Sequence, residues 1–130
     1  RAVKLQDKAA KVGFDWPSAD GPFAKVREEA DEVERARAGG GTTPEVAHEI
    51  GDLLFAVVNL ARHLRVDPER ELRASSQRFR DRFLHVEQRL AETHRTPSQA
   101  TLEEMDRYWE EAKRLVRIAG AETPPAGETS

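Results

Sequence analysis

The amino-acid sequence predicts an all-α fold, a bundle of about five helices, from three observations. β-branched residues are sparse, and no stretch alternates apolar and polar residues as a half-buried strand does. Apolar residues instead recur at three- and four-residue steps over long segments, which is the spacing of an amphipathic helix. Glycine and proline stand between these segments, where they end helices.

The first two predicted helices cover residues 2–12 and 23–38. Gly13 ends the first helix, and a loop that contains prolines and two aromatic residues follows it. Three consecutive glycines, residues 39–41, end the second helix because glycine disfavours a continued helical backbone. The apolar face of the second helix comprises Phe23, Val26, Ala30 and Val33.

The third predicted helix begins with Thr43 as its N-cap and Pro44 in its first turn, and it ends near Leu64. Residues 53–61 of this helix are apolar on nearly every side, apart from Asn59. A helix that is apolar all round is a buried one. We therefore expect the third helix to form the centre of the domain.

Asp67 and Pro68 repeat the signal of a cap followed by proline, and they predict a fourth helix that ends near residue 93. Thr101 and Glu104 form a capping-box pattern at the start of a fifth helix. The fourth helix carries a heptad-like seam of Leu72, Ser76, Phe79, Phe83, Val86 and Leu90. One side of the fifth helix carries Leu102, Met105, Trp109, Ala112 and Val116. We expect one domain over residues 1–120 and a disordered tail over residues 121–130.

Composition narrows the classes of function. The chain has 21 Lys and Arg residues against 24 Asp and Glu residues, and this near balance argues against a nucleic-acid partner. It has no cysteine, which excludes thiolate metal sites and fits a reducing compartment, so we expect a cytoplasmic protein. No apolar run approaches the roughly 20 residues of a membrane span, and no signal peptide opens the chain. Because the sequence begins with Arg1 rather than Met, we expect it to be a piece of a longer protein or a trimmed chain.

Acidic residues cluster on the second and third predicted helices. Glu29 and Glu32 are three residues apart and share one helix face, and so do Glu49 and Asp52. The second pair borders the core-facing side of a helix that we expect to be central, and its stripe continues to Asn59. A carboxylate near the core needs a partner, because an unpaired buried charge is costly.

If the two helices pack antiparallel, their four carboxylates converge and need a countercharge. A divalent cation supplies it, and oxygen ligands select magnesium or manganese. The alternative is that nearby basic residues such as Lys25 and Arg27 neutralise the acids in ion pairs.

Basic and aromatic residues gather on the last two helices. Arg78 and Arg82 are four residues apart, and arginine forks suit phosphate oxygens. Alternatively, these arginines pair with surface acids such as Asp81 and Glu87. Trp109, four residues before a lysine, is either a core residue or a platform on which a base stacks.

The sequence resembles the MazG-type nucleoside triphosphate pyrophosphohydrolases of the all-α NTP pyrophosphatase superfamily. The family signature, E-E-x-x-E followed by E-x-x-D on the next helix, stands here in residues 28–32 and 49–52. Residues 8–17 resemble the opening of the C-terminal domain of the two-domain bacterial members. The string in residues 78–83 departs from the family pattern, because Arg78 replaces the usual lysine and keeps its charge.

The resemblance implies hydrolysis of a nucleoside triphosphate (NTP or dNTP) to the monophosphate and pyrophosphate by a dimer that uses Mg²⁺, with Mn²⁺ as a substitute. The implied magnesium ligands are Glu29, Glu32, Glu49 and Asp52. The implied phosphate and nucleotide contacts are Lys25, Arg78, Arg82, Trp109 and Lys113. We add Asn59 to the substrate contacts, and we expect Glu28 or Glu32 to accept the proton of the attacking water.

Two alternatives stay open at this point. One is a catalytically silent helical module for dimerisation or regulation within a tandem protein. The other is a relative of narrow specificity, such as a dimeric dUTPase or the phosphoribosyl-ATP pyrophosphohydrolase. For the broader enzyme, sanitation of the nucleotide pool is one biological role that the resemblance implies.

Overall fold

The computed structural model describes residues 1–122, with side chains described up to residue 115. Within residues 1–122 it has five α-helices, one short 3-10 helix and no strand, so the predicted all-α fold is confirmed. The elements are α1 (Ala2–Lys11), α2 (Asp20–Ala38), α3 (Thr43–His63), α4 (Pro68–Ala91), the 3-10 helix (Pro97–Gln99) and α5 (Leu102–Glu122).

The described residues form two compact units, the first from Arg1 to Glu71 and the second beginning at Leu72. The predicted tail lies outside the described residues except for Ala121 and Glu122, which continue α5. Across the described helices, none combines the length and the apolar character that a membrane span requires.

In the first unit, α2 and α3 pack against each other and are joined by residues 39–42. Gly40 has a φ of 76°, a conformation that suits glycine and lets the chain turn sharply. The N-cap of α3 is Thr42 and not the predicted Thr43. Thr42 accepts a hydrogen bond from the backbone of Glu45, whose side chain accepts one from Thr42 in return. This reciprocal capping box decides between the two adjacent threonines.

The face of α2 that packs in the first unit differs from the predicted one. α2 begins at Asp20, because Pro22 lies in the first turn, where no backbone donor is lost. Phe23 and Ala30, two members of the predicted apolar face, are exposed. The less exposed stripe comprises Pro22, Val26, Glu29, Val33 and Ala36. A carboxylate therefore occupies a position on the packed side of α2.

The burial of α3 also differs from the prediction. Within the stretch expected at the centre of the domain, Ala56 is buried, whereas Leu54 and Phe55 are 61% and 47% exposed. The helix packs along one stripe through Leu53 and Ala56, and its other apolar side is exposed. Burial of α3 on all sides is therefore wrong for this chain, although the apolar character that prompted it is real.

In the second unit, α4 and α5 pack side by side. Val86 and Leu90 of α4 and Ala112 of α5 are buried, whereas Leu72 and Phe79 at the start of the predicted seam are exposed. Thr101 accepts a hydrogen bond from the backbone of Glu104, as the capping pattern predicted. The side chain of Val116 lies outside the described ones.

Candidate active site

Glu29 is the buried member of the predicted carboxylate set. Glu29 is 8% exposed, because it lies on the packed stripe of α2. Its Oε1 lies 3.1 Å from Nζ of Lys25, one helical turn earlier, and the same Nζ lies 3.4 Å from Glu28. Hydrogen bonds to Glu29 and then Glu28 raise the pKa of Lys25 above its usual value. A single lysine thus balances the buried carboxylate.

On α3, His48, Glu49 and Asp52 bring one ligand atom each within 4.8 Å of one another. Nε2 of His48 lies 3.3 Å from Oδ2 of Asp52, one helical turn away. His48 was not among the predicted site residues, although its four-residue spacing from Asp52 was a signal that could have placed it here. Two carboxylates with an accessible face are a donor set that suits a hard divalent cation.

A cleft of about 360 Å³ lies between these two helices. It is lined by Lys25, Glu29, Asp52, Phe55, Ala56 and Asn59. The cleft therefore brings together four of the predicted site residues: Lys25, Glu29, Asp52 and Asn59. Ala56, the small residue of this lining, is buried.

Two other acids of α2 lie apart from the cluster on α3. Oε1 of Glu32 lies 2.6 Å from a guanidinium nitrogen of Arg35, and Glu28 is exposed beside Lys25. Pairing of these acids with basic residues is what the ion-pair alternative expected, although Arg27 instead lies over the ring of Phe23. The glutamates of α2 are thus paired with lysine and arginine along their own helix.

The predicted phosphate contacts of α4 and α5 belong to the second unit. The guanidinium carbon of Arg82 lies 5.7 Å from the ring centre of Trp109, and Phe79 lies 5.1 Å from that ring on centroids. Arg78 donates to the hydroxyl of Ser75. Trp109 thus packs as a core-edge residue. Lys113 lies 3.5 Å from Glu110.

The expected ion pairs of these arginines with Asp81 and Glu87 are not seen among the described residues, where Asp81 instead accepts from Gln77. Arg78 and Arg82 therefore keep guanidinium groups that are not neutralised by those acids.

The first unit has a second cavity, of about 410 Å³, which the sequence did not predict. Its lining includes Gln6, Phe14, Trp16, Phe55, Asn59 and Arg62. The signal that could have revealed this cavity is Gln6, a polar residue on the apolar stripe of α1, where helical spacing leads one to expect an apolar residue.

The loop at this second cavity is fastened by one carboxylate. Oδ1 of Asp15 accepts hydrogen bonds from Arg62 at 2.7 Å, from His63 at 2.8 Å and from the backbone of Trp16 at 2.8 Å. The bond from Arg62, followed by that from His63, lowers the pKa of Asp15 far below its usual value. The aromatic loop is thereby held against the end of α3.

Comparison with known proteins identifies relatives of the chain. Residues 6–79 match the family model described as phosphoribosyl-ATP pyrophosphohydrolase. The chain is 38% identical over 112 residues to the nucleoside triphosphate pyrophosphohydrolase/pyrophosphatase MazG of Thermotoga maritima. The matched region covers 86% of this chain and 42% of that protein. It is 41% identical over 115 residues to the nucleoside triphosphate pyrophosphohydrolase of Escherichia coli K12, or 88% of this chain and 44% of that protein. The chain therefore spans less than half the length of these curated relatives.

Proposed function

Because the chain belongs to the family of MazG-like and phosphoribosyl-ATP pyrophosphohydrolases, we propose that it hydrolyses nucleoside triphosphates to the monophosphate and pyrophosphate. The observation that carries the proposal is the cleft that joins Lys25, Glu29 and Asp52 beside Glu49. Water attacks the α- or the β-phosphorus, the P–O bond that bridges these two atoms breaks, and the monophosphate and pyrophosphate separate as the proton of the water passes to a base. Two products carry all the phosphate of the substrate.

We propose Mg²⁺ as the cofactor, held by Glu49 and Asp52 together with Glu29 and Glu32. The half-buried Glu49 and the more accessible Asp52 support this assignment, because both offer oxygen ligands at the edge of the cleft. When bound, the cation offsets the negative charge of the triphosphate and lowers the pKa of the attacking water.

The side chains of the cleft supply the remaining steps. Glu28 or Glu32 accepts the proton of the water in this proposal. Both side chains are accessible, and each contacts a single basic side chain in the described part of the chain. Lys25 is positioned to exchange its contact with Glu29 for a phosphate oxygen. Asn59 lines the same cleft and offers an amide to the substrate. Arg78, Arg82, Trp109 and Lys113 enter the proposal by residue type and by the resemblance alone.

We also propose that the active form is a homodimer. The exposed apolar side of α3, with Leu54, Phe55 and Val57, supports this, because a helix surface of that composition is stabilised when a partner covers it. Leu72 and Phe79 expose further apolar surface on α4. A cytoplasmic location and a role in sanitation of the nucleotide pool complete the proposal.

A substrate panel tests the activity. The purified chain is incubated with each common NTP and dNTP and with phosphoribosyl-ATP, with Mg²⁺ or with EDTA, and both products are quantified. Equal amounts of monophosphate and pyrophosphate that require Mg²⁺ are expected. Absence of pyrophosphate from every substrate would favour the silent module, and turnover of phosphoribosyl-ATP or dUTP alone would favour a narrow enzyme, which the matching family model makes a specific rival.

A further inference from the structure

His48 lies beside the two carboxylates of α3 that the proposed function assigns to a cation, and its imidazole offers a nitrogen to that cation. We propose that His48 is a ligand of the metal, and that it makes the site selective for first-row transition-metal ions over Mg²⁺. The inference deepens the proposed function and rests on it. Because His48 precedes the E-x-x-D pattern of residues 49–52, neither that motif nor the resemblance assigns it a role.

The spacing of His48 and Asp52 is that of two ligands on one helix. Nε2 of His48 lies 3.3 Å from Oδ2 of Asp52, and one ligand atom of each of these residues lies within 4.8 Å of a carboxylate oxygen of Glu49. Neighbouring ligands of an ion with bonds of about 2.1 Å lie about 3 Å apart, so one ion can bind the histidine and the aspartate with little movement of either side chain.

A known zinc-binding pattern uses the same spacing. In H-E-x-x-H, the two histidines lie one helical turn apart and bind one ion, and a glutamate follows the first of them. Residues 48–52 of this chain read H-E-I-G-D, in which an aspartate takes the place of the second histidine. The helix therefore presents one nitrogen donor and one oxygen donor in positions at which a pair of ligands binds a transition-metal ion.

His48 also lies on the stripe of α3 that lines the acidic cleft. Positions 48, 52, 55 and 59 follow one another at steps of four, three and four residues, which is the spacing of one helix face. Asp52, Phe55 and Asn59 of this stripe line the cleft. His48 extends the same stripe by one turn towards the N-terminus of α3, and its side chain is 71% exposed, so an ion can reach it from solvent.

Two other histidines show how this chain uses the residue to connect elements. His63 contacts Asp15 of the loop before α2 at 2.8 Å, and His85 of α4 contacts Glu111 of α5 at 2.7 Å. Their side chains are 12% and 21% exposed. His48 differs in both respects, because it is mostly exposed and its acidic neighbours lie on its own helix. A connecting role therefore does not account for His48.

A nitrogen ligand changes which metals bind tightly. Mg²⁺ takes oxygen ligands almost exclusively, whereas imidazole is a good ligand of first-row transition metals, whose affinities rise from Mn²⁺ to Co²⁺ and beyond. Glu49 and Asp52 hold Mg²⁺ in the proposed function, and His48 adds affinity for metals that accept nitrogen. The competing interpretation, a surface pair of histidine and aspartate that stabilises α3, predicts no bond from this nitrogen to a metal.

Electron spin-echo spectroscopy of the chain saturated with Mn²⁺, without nucleotide, tests for that bond. The parent chain should show modulation from a coordinated imidazole nitrogen, and ¹⁵N-labelled histidine should shift its frequency. His48→Gln and His48→Ala should lose the modulation. His94→Gln, which changes an exposed histidine of the second unit, is the matched control and should keep it. No nitrogen modulation in the parent, or modulation that persists in both His48 variants, would overturn the proposal.

Calorimetric titration with Co²⁺ and, separately, with Mg²⁺ measures the selectivity. His48→Gln should lower the affinity for Co²⁺ at least about tenfold, since even partners outside the ligand shell of a metal contribute that much. The ratio of Co²⁺ affinity to Mg²⁺ affinity should fall by a similar factor, because Mg²⁺ gains little from imidazole. Circular dichroism checks the helical content of each variant. Equal losses for the two metals would contradict a nitrogen ligand.

Pyrophosphate release separates failure of this inference from failure of the proposed function. Mg²⁺-dependent release by a chain whose Mn²⁺ form shows no nitrogen modulation would overturn the inference alone. Nitrogen modulation that depends on His48, in a chain that releases no pyrophosphate from any triphosphate, would support the metal ligand and overturn the proposed function alone.

Discussion

Acidic side chains are partnered differently in the two units of the chain. In the second unit, Glu104 is bound by both terminal nitrogens of Arg95, and Glu111 contacts His85 at 2.7 Å and Arg89 at 3.0 Å. Arg95 lowers the pKa of Glu104, and His85 lowers that of Glu111. These carboxylates are therefore committed to holding α4, α5 and their connection together.

On α3 of the first unit, two carboxylates crowd each other instead. Glu49 and Asp52 share a cluster with His48. The buried Glu29 forms an ion pair with Lys25 and with no other basic side chain among the described residues. Such an arrangement adds little to folding, because like charges repel at short range. The comparison separates acids that basic side chains hold in the fold from acids that crowd together, which the proposed function assigns to a cation. The predictions below test that division.

The largest effect is expected for Asp52→Asn. The change removes a charged oxygen ligand and should lower Mg²⁺-dependent pyrophosphate release at least about 100-fold. Thermal stability should stay the same or rise, since repulsion from Glu49 is relieved. Asp81→Asn, an exposed acid of the second unit, is the matched control and should keep full turnover. An Asp52→Asn chain as active as its parent would contradict the assignment of the cleft.

Lys25→Met should have the next largest effect. It leaves the buried Glu29 without its lysine, so Tm without metal should fall by several degrees. Added Mg²⁺ should raise Tm more in the variant than in the parent chain, because the cation replaces the missing charge. Calorimetry with and without Mg²⁺ measures both. Identical metal-induced shifts would show that Lys25 and the cation do not compete for Glu29.

Acid should weaken the second unit through Glu104. Because its folded pKa lies below the usual value near 4.5, its contribution is complete above that value and is lost as pH falls through the folded pKa. Tm should therefore drop below about pH 4. Glu104→Gln should have a lower Tm than the parent at pH 7 and a smaller difference from it at pH 3. A constant difference across this range would contradict the ion pair.

The smallest effect is expected for Thr42→Ala, which removes the capping box of the helix that carries Glu49 and Asp52. Loss of an N-cap costs about 1 kcal/mol of stability. Thr43→Ala should cost less, since Thr43 lies within the helix. Chemical denaturation of both variants measures the difference, and equal costs would contradict the choice of Thr42.

The sequence predicted the elements well because helix signals are local. Pro68 and the cap Asp67 placed the start of α4, and the glycines after Ala38 placed the end of α2. The choice between Thr42 and Thr43 needed the three-dimensional bond to Glu45, since either threonine suits a cap. Boundaries of this kind depend on single hydrogen bonds, which composition does not reveal.

The candidate site was predicted only in part, because its members depend on packing between helices. Spacing brought Glu49 and Asp52 together, since both lie on one helix. It did not predict that Glu29 replaces an apolar residue on the packed stripe of α2. Nor did it predict the pocket at Gln6, which requires α1 to meet α3. The exposure of Leu54 was not predicted either. An apolar helix surface indicates that something packs on it, but not whether this chain or another molecule does so.

Gly51 lies on α3 beside Asp52, and a Cβ added there would have no described atom within 4 Å. Since the chain contains no cysteine, Gly51→Cys would create a unique attachment point for a spectroscopic label. A spin label at this position would sense a paramagnetic Mn²⁺ at the neighbouring carboxylates. If two labelled copies associate, the distance between their two spin labels would also be measurable. One position therefore gives a direct readout of both the ion and the assembly.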